Sequence, residues 1–421
     1  MNILLVSFMH PDAPSGVRVH YQQLAAQLRQ RGHRVDVVTP GTLGGRRRLL
    51  IAAVRHLLLR LGPVPRALAG NASCFLHIWW GIDRHRAYDV VNAQDVGSGV
   101  AAQWALGAGV PVVVSGHFNE HPATEHLRQQ PGIGGAAARA VRRWFAGLLA
   151  RTRYFIGVSD FGLRLIRPNL PAQAECRVVH NGLDLKALRA RPAHANWRTR
   201  FAQQQFIVNI GQLESRKNQL LLVETARELR KLRTDFVVGL VGKGEDEELL
   251  RQRIAHHQLQ AHVLLLGYHP DVLPLLRCAA LYVHVATHET FGLVLLEAAA
   301  VGVPALALAV GGVPEVLRAT PEALLPAATG PGALARQLHE WLSAPARLRD
   351  LATRQAASAT AHFGVARMVA ETLDFYRFAI GHHRAARQAP SRGSPRARRP
   401  KSLLFCLCPL PLPSSSLYHE T

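Results

Sequence analysis

The chain's 421 residues and formal net charge of +22 exceed what one hydrophobic core and an ordinary surface account for, so two domains are expected. With 48% hydrophobic and 19% charged residues, the composition excludes a disordered or fibrous chain. The five cysteines (Cys74, Cys176, Cys278, Cys406, Cys408) are odd in number and lack metal-ligand spacing, which excludes a disulfide framework and points to a reducing compartment.

The charge is unevenly spread: residues 1–180 hold 21 basic against 9 acidic side chains, and residues 381–421 hold 7 against 1. One reading is an anionic partner for the first half, whether membrane lipid, nucleic acid or a phosphorylated substrate. The other is arginine-rich coding without functional consequence.

From the first residue, strand and helix signals alternate. The opening "MNILLVS" has no basic lead and runs directly into a buried strand pattern, so no secretory signal is expected. "PDAPSGVRVH" is a glycine loop at a helix start, and the helix that follows closes at Gly32. "RVDVVTP" is a second strand, followed by the leucine-rich, arginine-rich stretch Arg46–Leu68. On one continuous helix, Arg48, Arg55 and His56 fall to one side of that stretch, with Leu50, Val54, Leu57, Leu58 and Leu61 on the other. Such a helix could lie on an anionic membrane surface or be an ordinary core helix with a charged outer face. "YDVVNAQ", "GVPVVVSG" and "RYFIGVS" complete a doubly wound pattern.

Near Asn181-Gly182 the pattern restarts with "QFIVNIG", "FVVGLVG", "HVLLLG", "ALYVHVA" and "GVPALAL". The expected domains are residues 1–178 and 179–360, with a closing helix at 361–380. From Gly381 the chain turns to Arg, Pro and Ser, and 381–421 reads as a disordered basic tail. The longest apolar stretch, 291–314, is interrupted by Glu297, Gly302 and Pro304, so no membrane span is expected.

Several segments carry candidate chemistry. "HETFGLVLLEAAAVGVP" places Glu289 in a loop after a strand and Glu297 inside the following helix. Two carboxylates suit a polyol, because each accepts hydroxyl protons. The amides of Phe291 and Gly292 at the helix start suit an anion. A phosphate on the amides and hydroxyls on the acids together describe a sugar nucleotide. Without a ligand, Glu297 reads as a satisfied interhelical partner. In "NIGQLESRKN", Arg216 and Lys217 lie where a diphosphate could reach them, although such a pair is more often a solvated helix start. "VGKGED" fails the dinucleotide fingerprint. "HFNEH", His117 to His121, matches an inverted zinc protease pattern, but it follows a strand directly and meets Pro122, which disfavours the helix that zinc ligation needs.

Taken in order, "VHNGLD", "RKN" after a strand glycine, "VGKGED", "LLLGY", the E-x7-E element with its "FG", and "GGVPEV" resemble the retaining glycosyltransferases of family 4, which have the GT-B fold. The resemblance covers roughly residues 1–380. It implies an α/β chain with two Rossmann-like domains facing a cleft, and a metal-independent transfer from a UDP- or GDP-sugar. The acceptor would be a glycan or lipid-linked molecule of cell-surface polysaccharide or lipopolysaccharide synthesis. The enzyme would be cytoplasmic, with peripheral contact to the membrane through 46–68, and no nucleic-acid partner.

Residue by residue, the resemblance implies that Glu289 and the amides of Phe291, Gly292 and Leu293 hold the donor sugar and its phosphate. Glu297 would bind the ribose hydroxyls. Lys217, with Arg216, would neutralise the departing diphosphate, and Gly16 would let the first-domain loop approach it. The turns at Gly242–Gly244 and Gly267–Tyr268 would frame the base, and His117 would face the anomeric centre. Three positions depart from the family pattern: Gln212 where an arginine is common, "PSGVR" in place of paired glycines, and no tryptophan in "AHFGVARMVAETLDFYRF". The competing classes are a sugar-nucleotide epimerase of the same fold, a basic nucleic-acid or membrane-binding protein, and a catalytically dead scaffold.

Overall fold

The computed structural model describes residues 1–388 apart from 13–14, 131 and 192–194. The first sheet is built from β1 (Asn2–Val6), β2 (Arg34–Val38), β3 (Val90–Ala93), β4 (Val112–Gly116), β5 (Tyr154–Gly157) and β6 (Glu175–Val178). The second comprises β7 (Gln205–Ile210), β8 (Phe236–Val241), β9 (Val263–Gly267), β10 (Leu281–His284), β11 (Ala305–Leu308) and β12 (Leu324–Leu325). Both are six-stranded, with orders β2-β1-β3-β4-β5-β6 and β9-β8-β7-β10-β11-β12, and every pair is parallel. The inner strands read as continuous apolar runs because helices cover both faces. β3, β5, β8, β10 and β11 are buried along their whole length.

Two strands go beyond the sequence expectation, and both lie at sheet edges. β6, "ECRV", is polar and only partly buried, and β12 has two residues. Edge strands need only one paired side and little apolar surface, so they leave a weak pattern.

In each sheet the strand order reverses once, between β1 and β3 and between β7 and β10. Open α/β sheets bind ligands at such switch points, beyond the carboxyl ends of the strands. The loops following β1, β3, β7 and β10 therefore border the two switch points.

The chain passes between the domains twice, and the two passes are bonded. Leu183 N donates to Phe363 O (3.0 Å) and Val365 N to Leu183 O (3.0 Å). A Cβ on Gly182 would lie 2.7 Å from Gly364 O, so "NGLD" needs its glycine for this crossing. The closing helix Val365–Gln388 packs Met368, Val369, Leu373 and Tyr376 into the same cluster as Ile3, Leu5 and Leu24 of the first domain. It continues through residues 381–388, past the point where composition suggested a disordered tail; the expected tail from 389 onward lies outside the described residues.

The stretch Arg46–Leu68 is not one helix. A helix at Gly45–Arg60 ends, Gly62 adopts φ 93°, and a second helix starts at Pro63 and runs to Gly81. The glycine supplies the left-handed turn and the proline a preorganised first residue. Ile51 and Leu58 of the first helix are buried, whereas Leu49, Leu50, Leu57 and Leu61 face solvent. The expected leucine face is thus split between the core and the surface.

Candidate active site

The loop after β10 carries Glu289. Its Oε2 accepts from Lys217 Nζ at 2.5 Å and lies 3.4 Å from His284 Nε2. Burial by itself would raise the Glu289 carboxyl, but Lys217 and His284 outweigh it and hold it far below the usual carboxylate range. The acid is therefore ionised at every working pH. Tyr282 OH, 3.0 Å from His284 Nδ1, orients that imidazole from underneath. His284 and Tyr282 sit on β10 two residues apart, so strand alternation places both on one side.

Lys217 reaches Glu289 because the chain turns sharply after β7. Asn218 takes the left-handed conformation (φ 56°) between the short turn Ser215–Lys217 and the helix Gln219–Leu229. Arg216 points elsewhere: it pairs with Glu214 (2.5 Å) and donates to His288 O (3.1 Å), which ties the β7 and β10 loops together. At Gln212 the backbone carbonyl accepts from Gln219 Nε2 (2.9 Å) while the residue is exposed.

Gly292 (φ 87°) precedes the helix Leu293–Ala300. Among the described residues no group accepts from the amides of Phe291, Gly292 and Leu293. Phe291 is buried, with its ring packed between His180 and Phe363. Opposite this helix start stands the N-terminus of the first-domain helix Gly16–Gln30: a Cβ on Gly16 would lie 3.3 Å from Leu293 Cδ1. Two helix N-termini thus converge, an arrangement that favours negative charge between them.

Glu297 lies in the helix Leu293–Ala300, and its carboxylate has no ion pair or hydrogen bond among the described residues. Burial, then the negative Asp271, raises its carboxyl to about 7, with Arg191 offsetting part of the effect. The satisfied interhelical partner considered for it is absent among the described residues. Gly242 and Gly244 are where the β8 loop crosses the β7 loop, since a Cβ would lie 1.9 Å from Gly211 O or 2.1 Å from Leu213 O. Tyr268, after β9, is exposed.

From the first domain, His117 follows β4. Its Nε2 lies 3.0 Å from Gln94 Oε1, Gln94 Nε2 donates to Asn92 Oδ1, and Asn92 Nδ2 donates to Ser115 Oγ at 2.9 Å. This buried amide relay assigns the proton to Nε2 and leaves Nδ1 as acceptor. Burial, then neighbouring His20 with its ring 4.7 Å away, holds the His117 imidazole well below its ordinary value, so it is neutral. In "HFNEH" the remaining residues are used otherwise: His121 caps the helix Pro122–Arg128 by accepting from Ala123 N (3.2 Å), and Glu120 accepts from Arg128 (2.8 Å). The segment is not helical, so His117 and His121 do not share a helix face.

Sequence reasoning missed three groups. Gln94 carries no motif signal, and His20 looks like any histidine on an apolar helix face. "GGVPEV" was visible without a role. Gly311 (φ 55°) and Gly312 pass so close beneath the loop after β10 that a Cβ on either would collide with Glu289 O or Thr290 O, and Gly312 N donates to Glu289 O (2.9 Å). Glu315 accepts from the amides of Asp160 (2.7 Å) and Phe161 (2.8 Å) and meets His180 Nε2 at 2.9 Å, bridging the domains.

The description "Glycosyltransferase Family 4" matches residues 14–187, and "Glycosyl transferases group 1" matches residues 194–359. A D-inositol 3-phosphate glycosyltransferase 1 from Catenulispora acidiphila is 31% identical over 70% of this chain and 73% of its own length. A glycogen synthase from Mycobacterium tuberculosis is 27% identical over 75% of this chain and 80% of its own. Among solved structures, Anabaena HepE in complex with UDP-glucose superimposes with a TM-score of 0.64 at 19% identity, covering 88% of this chain and 99% of that one. Two parallel sheets with their switch points facing one cleft are the GT-B architecture, and the chain belongs to glycosyltransferase family 4.

Proposed function

We propose that this glycosyltransferase takes a UDP- or GDP-sugar and transfers its sugar, with retention of anomeric configuration and without a metal, to a glycan or lipid-linked acceptor. The observation that carries the reading is the Glu289–Lys217 pair beside three amides that have no acceptor among the described residues, together with a neutral His117 in the first domain. Glu289, ionised and acceptor-only, suits the hydroxyls of the donor sugar. The amides and the two helix ends suit the diphosphate, and Glu297 suits the ribose once ionised. Tyr268 and the turns at Gly242 and Gly244 would frame the base.

As the sugar–phosphate bond loosens, charge grows on the leaving diphosphate. The helix end and Lys217 stabilise that charge more than they stabilise the ground state, which is what lowers a barrier. His117 Nδ1 is available to accept a sugar hydroxyl and hold the ring in place. That HepE was solved with UDP and with UDP-glucose supports a uridine donor here.

The acceptor is read from the first domain's surface. Leu49, Leu50, Leu57 and Leu61 are exposed beside Arg46, Arg47, Arg48, Arg55 and Arg60, and a pocket lined by Arg47, Trp80, Arg84 and His85 adjoins them. Apolar side chains among arginines, with no acid on that helix, suit an anionic lipid surface. A lipid-linked acceptor of cell-surface polysaccharide or lipopolysaccharide synthesis would be met there. Thermal-shift measurement with UDP-, GDP- and ADP-sugars tests the donor: one should raise the midpoint, and its anomeric signal by NMR should be kept in the product. A panel that leaves the midpoint unchanged overturns the donor assignment, and inversion overturns retention.

A further inference from the structure

The segment "HFNEH" is left over by the donor reading except for His117, and its third residue makes an unusual connection. Asn119 Oδ1 accepts from both Thr290 N and Thr290 Oγ1, each at 2.9 Å. Thr290 is buried and stands between Glu289 and the amides of Phe291, Gly292 and Leu293. Within its own domain, Gly312 N donates to Glu289 O (2.9 Å) on the peptide that enters Thr290. The two hydrogens of Thr290 are held from the other domain. The Glu289–Thr290 peptide is therefore held by both halves of the molecule, its N–H by Asn119 and its carbonyl by Gly312, and it sets where the peptide planes of Phe291, Gly292 and Leu293 begin.

Asn119 is itself held firmly. Its own amide and that of Glu120 donate to the same oxygen of Glu125, at 2.7 and 3.2 Å. Glu125 belongs to the short helix Pro122–Arg128, so the loop is shaped by side chains of its own domain before it meets Thr290. His288 Nε2, 3.4 Å from Glu120 Oε1, adds a second contact along the same seam.

Resting on the donor reading above, we propose that Asn119 is a positioning residue: it orients the amides that receive the donor phosphate, so the donor site is complete only while the two domains are clasped. A carboxamide oxygen that takes both a backbone and a hydroxyl hydrogen fixes the rotation of the Thr290 peptide, which a single bond would leave free. Coupling of this kind is reciprocal, so whatever the clasp adds to donor affinity, the donor adds to the clasp. The first domain thus does more than present the acceptor.

The test uses the full chain, with UDP as the probe. Asn119→Ala and Thr290→Val should each weaken UDP binding by at least about fivefold in calorimetry, the scale of one or two lost hydrogen bonds. The double variant should lose no more than Asn119→Ala alone, because the bond that Thr290→Val removes is one of the two that Asn119→Ala removes. Thr290→Ser, which keeps both hydrogens, should bind UDP like the wild type. Without ligand, hydrogen exchange at Phe291–Leu293 should quicken in Asn119→Ala and Thr290→Val alone. Unchanged UDP affinity and exchange in those two variants, with only a lowered melting temperature, would reduce the contact to an ordinary structural bond. Additive losses in the double variant would also overturn the proposal. A wild type that binds neither UDP nor GDP would sink the donor reading instead, and the exchange rates would still decide the clasp.

Discussion

Glu289 and Lys217 are each other's partners before any donor arrives. The pair keeps the acid ionised and holds the ammonium in place, which under the proposed reaction would spare reorganisation as a diphosphate leaves. Lys217→Ala and Glu289→Ala should each reduce transfer by about 10² or more, equivalent to ~3 kcal/mol of transition-state stabilisation. For Lys217→Ala the loss should lie in kcat more than in KM; a pure KM effect would assign the lysine to ground-state binding. Glu297 behaves in the opposite way. Its folded-state pKa, raised to about 7, means that its contribution to stability is present below the ordinary carboxylate range and is lost as pH rises through 7. Glu297→Gln should therefore stabilise the ligand-free protein at pH 8 by about 2 kcal/mol in urea unfolding, with the gain vanishing toward pH 4. A variant less stable than wild type at pH 8 would mean that the carboxylate has a partner.

Elements place these residues by what they cannot accommodate. The loop that carries Glu289 lies on a floor of Gly311 and Gly312 with no room for a Cβ. Gly311→Ala adds a methyl group against Glu289 O at a left-handed φ, so it should cost both stability and nearly all transfer while leaving the first domain folded. Activity near wild type would show that the loop can move aside. The helix Gly45–Arg60 makes a contrasting case. Leu50 and Leu57 are 52% and 55% exposed, so Leu50→Ser with Leu57→Ser should leave the melting temperature within a few degrees. Co-sedimentation with anionic vesicles should fall in that double variant, and binding by the wild type should weaken with salt. Equal sedimentation of both proteins would return these leucines to ordinary surface.

At the scale of the whole molecule, the two domains are joined by bonds on two sides of the loop that carries Glu289: Asn119 to Thr290, and Glu315 to the helix start at Asp160 and to His180. Burial would raise the Glu315 carboxyl, but His180 and the two amides outweigh it and lower its pKa, so this latch holds above the ordinary carboxylate range and loosens as pH falls below it. Glu315→Ala should leave each domain folded but separate them, seen as a larger radius of gyration by small-angle scattering and a weaker nucleotide affinity. Scattering identical to wild type would show that the closing helix Val365–Gln388 holds the domains without the latch.

How much of this was legible in the sequence follows from the range of each interaction. Buried parallel strands announce themselves as apolar runs, and the restart near Asn181 marks the second sheet, because both depend on local composition. Glu289, Glu297, Lys217 and the helix start at Gly292 were legible for the same reason: a strand, a loop and a helix N-terminus lie within a few residues. The edge strands β6 and β12, the break at Gly62 and the continuation of the last helix to Gln388 gave weaker or opposing local signals. Which acid would be ionised and which neutral was not legible at all. Lys217 and Glu289 are 72 positions apart, and Asn119 and Thr290 are 171 apart. The amino-acid sequence by itself determined the elements, the two sheets and the residue types around the cleft. Only the tertiary structure decided the partners, because pairing across such distances is set by packing two domains face to face and by desolvation that no local pattern encodes.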